Sequence, residues 1–253
     1  MKDIYKRITE AERMGFGVAL CTIVNTHGSS PRKIGSKMLV YSDGAIYGTI
    51  GGGELERSVI GNALSTISTR KPKLYRHDLL HQHNMCCGGT MDIYIEPIMK
   101  KSKLYIFGAG HTGQALTKYA SNLNFEIVLI DERNEYINQC AIEDVNKLNI
   151  SYQSALKLLP FDENTFICIM THSHPMDREI LAFCLKKVFA YLGMIGSRRK
   201  VEMTKKMFIQ GLNIPEDKVE EVDMPMGIDI GAEGPDEIAL SILAKIVGVK
   251  NNV

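Results

Sequence analysis

No stretch of this sequence is apolar for long enough to cross a membrane. Spanning takes about twenty consecutive apolar residues. The richest run, GFGVALCTIV, is far shorter and reads as a buried strand. The chain also lacks an excess of charge of either sign. Its formal net charge of +1 gives neither the basic footprint of a nucleic-acid binder nor an acidic tail. The segment MKDIYKRITEAERMG lacks the apolar core of a signal peptide and instead places Ile4, Ile8 and Ala11 on one face of a charged helix. Together these absences predict a cytoplasmic protein that engages neither nucleic acid nor membrane. Internal repeats and low-complexity tracts are missing as well.

Cysteines at zinc-finger spacing are a further lack. The six cysteines stand at 21, 86, 87, 140, 168 and 184. Cys21 and Cys168 fall in strand-like runs and Cys184 on a helix, where a thiol in a reducing compartment behaves as a small hydrophobe. Only the adjacent pair Cys86 and Cys87, in NMCCGGTM, is out of keeping.

What is present is ordinary globular material: 253 residues, 45% hydrophobic and 23% charged, enough for one large domain or two modest ones. PIMKKSK at 97–103 reads as a solvated connector, which divides the chain into residues 1–100 and 101–253. The second part alternates apolar strands (104–107, 125–130, 165–170, 191–195) with amphipathic helices. That rhythm predicts a Rossmann-like parallel sheet covered on both faces. Pro235 opens a last helix with Ile238, Ile242 and Ile246 on one face. The first part predicts a smaller α+β domain: a helix, a strand at 17–26, a polar loop, strands near 37–41 and 45–50, a helix after a triple glycine, and strands near 74–78 and 90–95. The fold class is therefore α/β.

Gly108-Ala-Gly110-His111-Thr-Gly113 follows a strand and opens a helix, the setting of a dinucleotide fingerprint. Asp131, about twenty residues on, stands where an acid can bond a ribose hydroxyl. The plain alternative is a Rossmann domain that uses no dinucleotide. Five polar turns converge beyond the strand ends: GAGHTG, DER, THSHPMD, GSRRK and DIGAEGPDE. In THSHPMD, His172, His174 and Asp177 are candidate metal ligands, with helix capping by Ser173 or Asp177 as the cheaper reading. Arg198 and Arg199 are candidate phosphate clamps or simply a solvated helix face.

In the first part, HGSSPRKIGSKM sets Ser29, Ser30, Arg32, Lys33 and Lys37 among glycines, either an anion cradle or a polar hairpin loop. Gly51, Gly52 and Gly53 before Glu54 form a second candidate, with bare amides at a helix start and an acid able to read a heterocycle's donor edge. The adjacency of Cys86 and Cys87 argues against zinc and against a strained vicinal disulfide. One thiol presented by the Gly88-Gly89 turn fits better, as a nucleophile or a soft-metal ligand. His81 and His83 either assist it or cap a loop.

The segments GSSPRKIGSKMLV, GTIGGGELE, CCGGTMDIYIEP, LYIFGAGHTGQAL, THSHPMDREIL, YLGMIGSRRK and GIDIGAEGPDEIALSILAKI span nearly the full chain. As a set they resemble the xanthine dehydrogenase accessory factor family (XdhC/CoxI). The resemblance implies a non-enzymatic maturation factor. Such a factor binds molybdenum cofactor (molybdopterin), protects it during sulfuration and delivers it to an apo-molybdenum hydroxylase. The family's cysteine-glycine-glycine motif falls on Cys87, Gly88 and Gly89, which makes Cys87 the expected thiol ligand of molybdenum. Some members carry a cysteine where this chain has Glu54. The cofactor's phosphate is then expected at Ser29, Ser30, Arg32 and Gly51 to Gly53. Implied partners are a xanthine dehydrogenase-like hydroxylase and a cysteine desulfurase. Self-association into a homo-oligomer through sheet edges or the first helix is compatible with the pattern. Two rival readings stay open: an NAD-dependent oxidoreductase on the glycine fingerprint, and a hydrolase on the THSHPMD histidines.

Overall fold

The strand-forming runs sort into two sheets built on different rules. The computed structural model describes residues 2–14, 17–82, 88–98 and 101–251. The chain divides into two units, residues 1–100 and 101–253.

In the first unit, α1 (Lys2–Met14), β1 (Val18–His27), β2 (Lys37–Tyr41), β3 (Ile46–Gly48), α2 (Gly53–Thr69), β4 (Lys73–Asp78) and β5 (Thr90–Ile98) follow one another. The sheet runs β3-β2-β1-β5-β4 and every pairing is antiparallel. Alternation in β1 sends Ala19, Cys21 and Ile23 beneath α2, where they meet Leu55, Val59 and Ala63. Leu20, on the other face, packs with Leu39 and with Ile4 of α1. A register shift between Ile23 and Asn25 leaves Val24 exposed, and pairing with β5 resumes through His27, after which the glycine-rich loop begins.

In the second unit, β6 (Ser102–Phe107), α3 (His111–Ala120), β7 (Phe125–Ile130), α4 (Asn134–Asn138), β8 (Asn146–Leu148) and α5 (Tyr152–Leu158) lead to the next strand. β9 (Thr165–Ile169), α6 (His174–Cys184), β10 (Tyr191–Met194), α7 (Arg198–Lys206), a π-helical turn at Met207–Gly211, α8 (Glu216–Glu220) and α9 (Gly234–Lys250) complete it. The sheet is parallel throughout, in the order β10-β9-β6-β7-β8. Strand order reverses between β6 and β9, the position where open α/β sheets form a ligand crevice. Both faces are covered, so every residue of β6 is buried. Leu104 and Ile106 belong to one core with Leu116, Ile242 and Ile246, while Tyr105 and Phe107 belong to the other with Tyr152, Ile180 and Phe208. Among the described residues no helix is long and apolar enough to cross a membrane.

The long strands lie within two residues of where hydrophobic periodicity placed them, except β5, which runs three residues further, to Ile98. β8, α4, α5 and α8 were not expected. Each has seven residues or fewer, too short to show a period.

Candidate functional site

Three glycine-bearing segments meet in the first unit. Gly88 forms a bridge to Ser29, and the buried Gly89 lies so close to the carbonyls of His27 and Ser29 that a Cβ would collide with both. Gly51, at φ 143°, faces Pro31, and a Cβ there would stand 2.6 Å from the proline Cγ. The 27–36 loop is thus held between the Gly51–Gly53 turn and the Gly88-Gly89 turn. This closeness is the physical reason for glycine at both places. Cys86, Cys87 and His83 lie outside the described residues. His81 is exposed and paired to Asp78, its Nδ1 3.0 Å from Oδ2, so it closes the turn after β4.

The triple-glycine turn departs from the expected phosphate cradle. The Glu56 carboxylate reaches back from the first turn of α2 and accepts from the Thr49 hydroxyl at 2.5 Å, Gly52 N–H at 2.9 Å and Ile50 N–H at 3.1 Å. Burial works to raise its pKa, but the Thr49 hydroxyl and these amides outweigh it and hold Glu56 below the usual carboxylate range. The chain supplies its own anion where an external one was expected. Glu54 points elsewhere, in an exposed pair with Arg57 at 2.7 Å. Ser30 donates to the Arg32 carbonyl, and the Arg32 side chain is exposed. Glu56 was missed in the sequence, where the one available signal was an acid four residues past the second glycine.

The second concentration lies at the carboxyl ends of the parallel strands. A cleft of about 380 Å³ is lined by Gly110, His111, Thr112 and Gly113, by Arg133 and Tyr136, by Thr171 and His172, and by Ile195 and Pro235. A Cβ on Gly113 would collide with the Gly108 carbonyl, whereas the space over Gly110 is open. Asp131 is fully buried and its carboxylate accepts four bonds. They come from Ala109 N–H at 2.8 Å, Arg133 N–H at 3.0 Å, Arg133 Nε at 3.0 Å and Arg133 Nη2 at 2.8 Å. Burial raises and the Arg133 guanidinium lowers its pKa; the donors prevail and Asp131 sits below its ordinary value. With four internal donors and no exposure, this acid ties the glycine loop to the end of β7 and has no free side for a ribose. The Arg133 guanidinium also lies 3.9 Å from the Tyr136 ring centre.

The candidate ligands of THSHPMD are not brought together as a set. Among the described residues no three His, Cys, Asp or Glu side chains form a set that could hold a metal. Asp177 is buried and accepts from Lys200 Nζ at 2.8 Å and from the Thr171 amide and hydroxyl at 2.9 and 2.7 Å. His172 is exposed, and exposed His174 stands 3.7 Å from Asp177. Ser173 is the residue before α6 but its side chain makes no capping bond. Of GSRRK, Lys200 turns inward, while Arg198 and Arg199 stay exposed, Arg198 3.7 Å from Asp229. Lys200 was missed because two exposed arginines precede it.

A family model described as the XdhC Rossmann domain matches residues 104–246, and one described as the XdhC and CoxI family matches residues 12–78. The chain belongs to the XdhC/CoxI family. Among its relatives is an uncharacterized protein, YqeB of Escherichia coli K12, 34% identical over 99% of this chain and 47% of that protein. A Bacillus subtilis 168 protein, named as a probable xanthine dehydrogenase subunit, is 27% identical over 65% of this chain and 48% of its own length. This XdhC/CoxI chain thus spans about half the length of those two relatives. The molybdenum cofactor insertion chaperone PaoD of Escherichia coli K12 is 22% identical over 98% of this chain and 88% of its own. In fold, the chain matches the crystal structure of a Bacillus halodurans xanthine dehydrogenase with TM-score 0.54 at 22% identity, covering 98% of this chain and 95% of that one.

Proposed function

We propose that this XdhC/CoxI protein is a chaperone that holds molybdenum cofactor, supports its sulfuration and inserts it into a xanthine dehydrogenase-type hydroxylase. The observation that carries the reading is the junction where Gly89 lies against the backbone of His27 to Ser29 and Gly51 lies against the Pro31 ring, each too close for a side chain. Cys87 precedes Gly88 directly, so the one thiol of the family motif is covalently tied to that junction. A thiolate is a soft donor, matched to a molybdenum centre rich in sulfur. The name of the relative PaoD, which aligns over nearly the whole chain, supports the cargo. The partners are the apo-hydroxylase that receives the cofactor and a cysteine desulfurase that supplies sulfur.

The test is to purify the chain from cells making molybdenum cofactor and to measure molybdenum and oxidised-pterin fluorescence. Wild type carries both in equal amount, and Cys87→Ala loses most of the molybdenum. A wild type that holds neither, even with cofactor in excess, overturns the reading.

The oxidoreductase reading is second. It rests on the open space over Gly110, but a dinucleotide there would do without the acid–ribose bond, since Asp131 is committed internally. Turnover of NADH with a candidate substrate would promote it.

A further inference from the structure

The Glu56 carboxylate already occupies the amides of Ile50 and Gly52, so a phosphate at the triple glycine would have to displace a tethered anion. Thr49, which donates to Glu56, also lines a groove of about 900 Å³. The groove lies between Ile4 and Tyr5 of α1, the 32–37 segment, and Tyr47 and Gly48. Its volume is in the range of small-molecule sites, roughly 300–1,000 Å³.

The charged residues along it are Arg32, Lys33 and Lys37, with no carboxylate among them. In a chain with 30 basic and 29 acidic residues, three cations around one groove are a local excess of positive charge. Arg32 and Lys33 are exposed, and the Lys37 ammonium is 3.5 Å from the Thr22 hydroxyl, a weak hold. Two acids bond residues of the lining: Asp3 accepts from the Tyr47 hydroxyl at 3.0 Å and Glu56 from the Thr49 hydroxyl. The walls are apolar and aromatic: Ile4 is buried, Ile34 is 58% exposed, and Arg7 covers one face of the Tyr47 ring at 4.1 Å. Cations beside flat apolar walls suit a planar heterocycle that carries a phosphate better than they suit a bare inorganic anion.

We propose that this groove, and not the triple-glycine turn, takes the phosphate monoester of the pterin cargo, with Lys33 and Lys37 as its charge partners and Arg32 as a clamp. The inference rests on the cargo reading above and relocates one end of the ligand.

The test titrates the full chain with two fluorescent probes. One is the phosphorylated pterin obtained by oxidising molybdenum cofactor, and the other is the same pterin after phosphatase treatment. Wild type binds the phosphorylated probe about tenfold more tightly, the equivalent of one charge-assisted contact. Lys33→Gln/Lys37→Gln abolishes that preference and leaves affinity for the dephosphorylated probe unchanged. Thermal melting guards against misfolding; if the pair misfolds, Lys33→Gln alone carries the test with a several-fold loss of preference. A preference that survives these substitutions overturns the subsite, as does a wild type that binds both probes equally. Either result leaves the cargo reading standing. A wild type that binds neither probe and purifies without molybdenum removes both.

Discussion

At the residue scale, this chain separates inert groups from committed ones. Burial pushes the Cys21 and Cys184 thiols up to about 12 and raises Cys168 further, so none of the three forms thiolate near neutral pH. Brief treatment of the native protein with iodoacetamide is expected to leave these three unmodified and to label Cys87, as read by peptide mass. Labelling of Cys21 or Cys168 at the same rate would contradict the packing. Glu56 and Asp131 are both held below their ordinary pKa by donors that outweigh burial. A carboxyl depressed in the folded state contributes stability above its unfolded pKa of about 4 and loses it as pH falls through the folded value. The urea midpoint is therefore expected to fall steadily below about pH 4, and Asp131→Asn to flatten that fall while costing about 3 kcal/mol at neutral pH. Asp131 was legible in the sequence by its distance from the glycines, but its role was not, because Arg133 becomes its partner only once the turn folds. Glu56 was illegible for a similar reason: a capping acid looks like any acid in a first helical turn.

At the element scale, the deciding features are close approaches between loops. Gly51→Ala would set a Cβ 2.6 Å from Pro31 at a φ of 143°, and is expected to cost about 1–3 kcal/mol in urea unfolding. Gly61, exposed in the middle of α2 with nothing near its missing Cβ, is the control. Gly61→Ala is expected to be neutral or to stabilise by up to about 1 kcal/mol. Equal costs at both positions would contradict the convergence of the loops. Periodicity disclosed the strands and helices with long apolar stripes, such as β7 and α9, because packing and pattern agree there. It could not disclose that the 27–36 loop lies against two glycine turns, which is a matter of tertiary contact between segments far apart in sequence.

At the scale of the molecule, an antiparallel unit and a parallel unit follow each other in an XdhC/CoxI chain. The parallel sheet has its crevice at the reversal between β6 and β9, with the committed pairs Asp131–Arg133 and Asp177–Lys200 fixing the surrounding turns. The antiparallel unit carries the glycine junction and the cationic groove. In the proposed role the chain hands over the cofactor it holds, so transfer is the step that distinguishes it from simple binding. The most direct measurement mixes chain loaded with molybdenum cofactor with a cofactor-free xanthine dehydrogenase-type hydroxylase and follows the appearance of hydroxylase activity. Loaded wild type should activate the hydroxylase faster and further than the same amount of free cofactor, and Cys87→Ala should give no advantage. Activation by loaded wild type no better than by free cofactor would contradict the account.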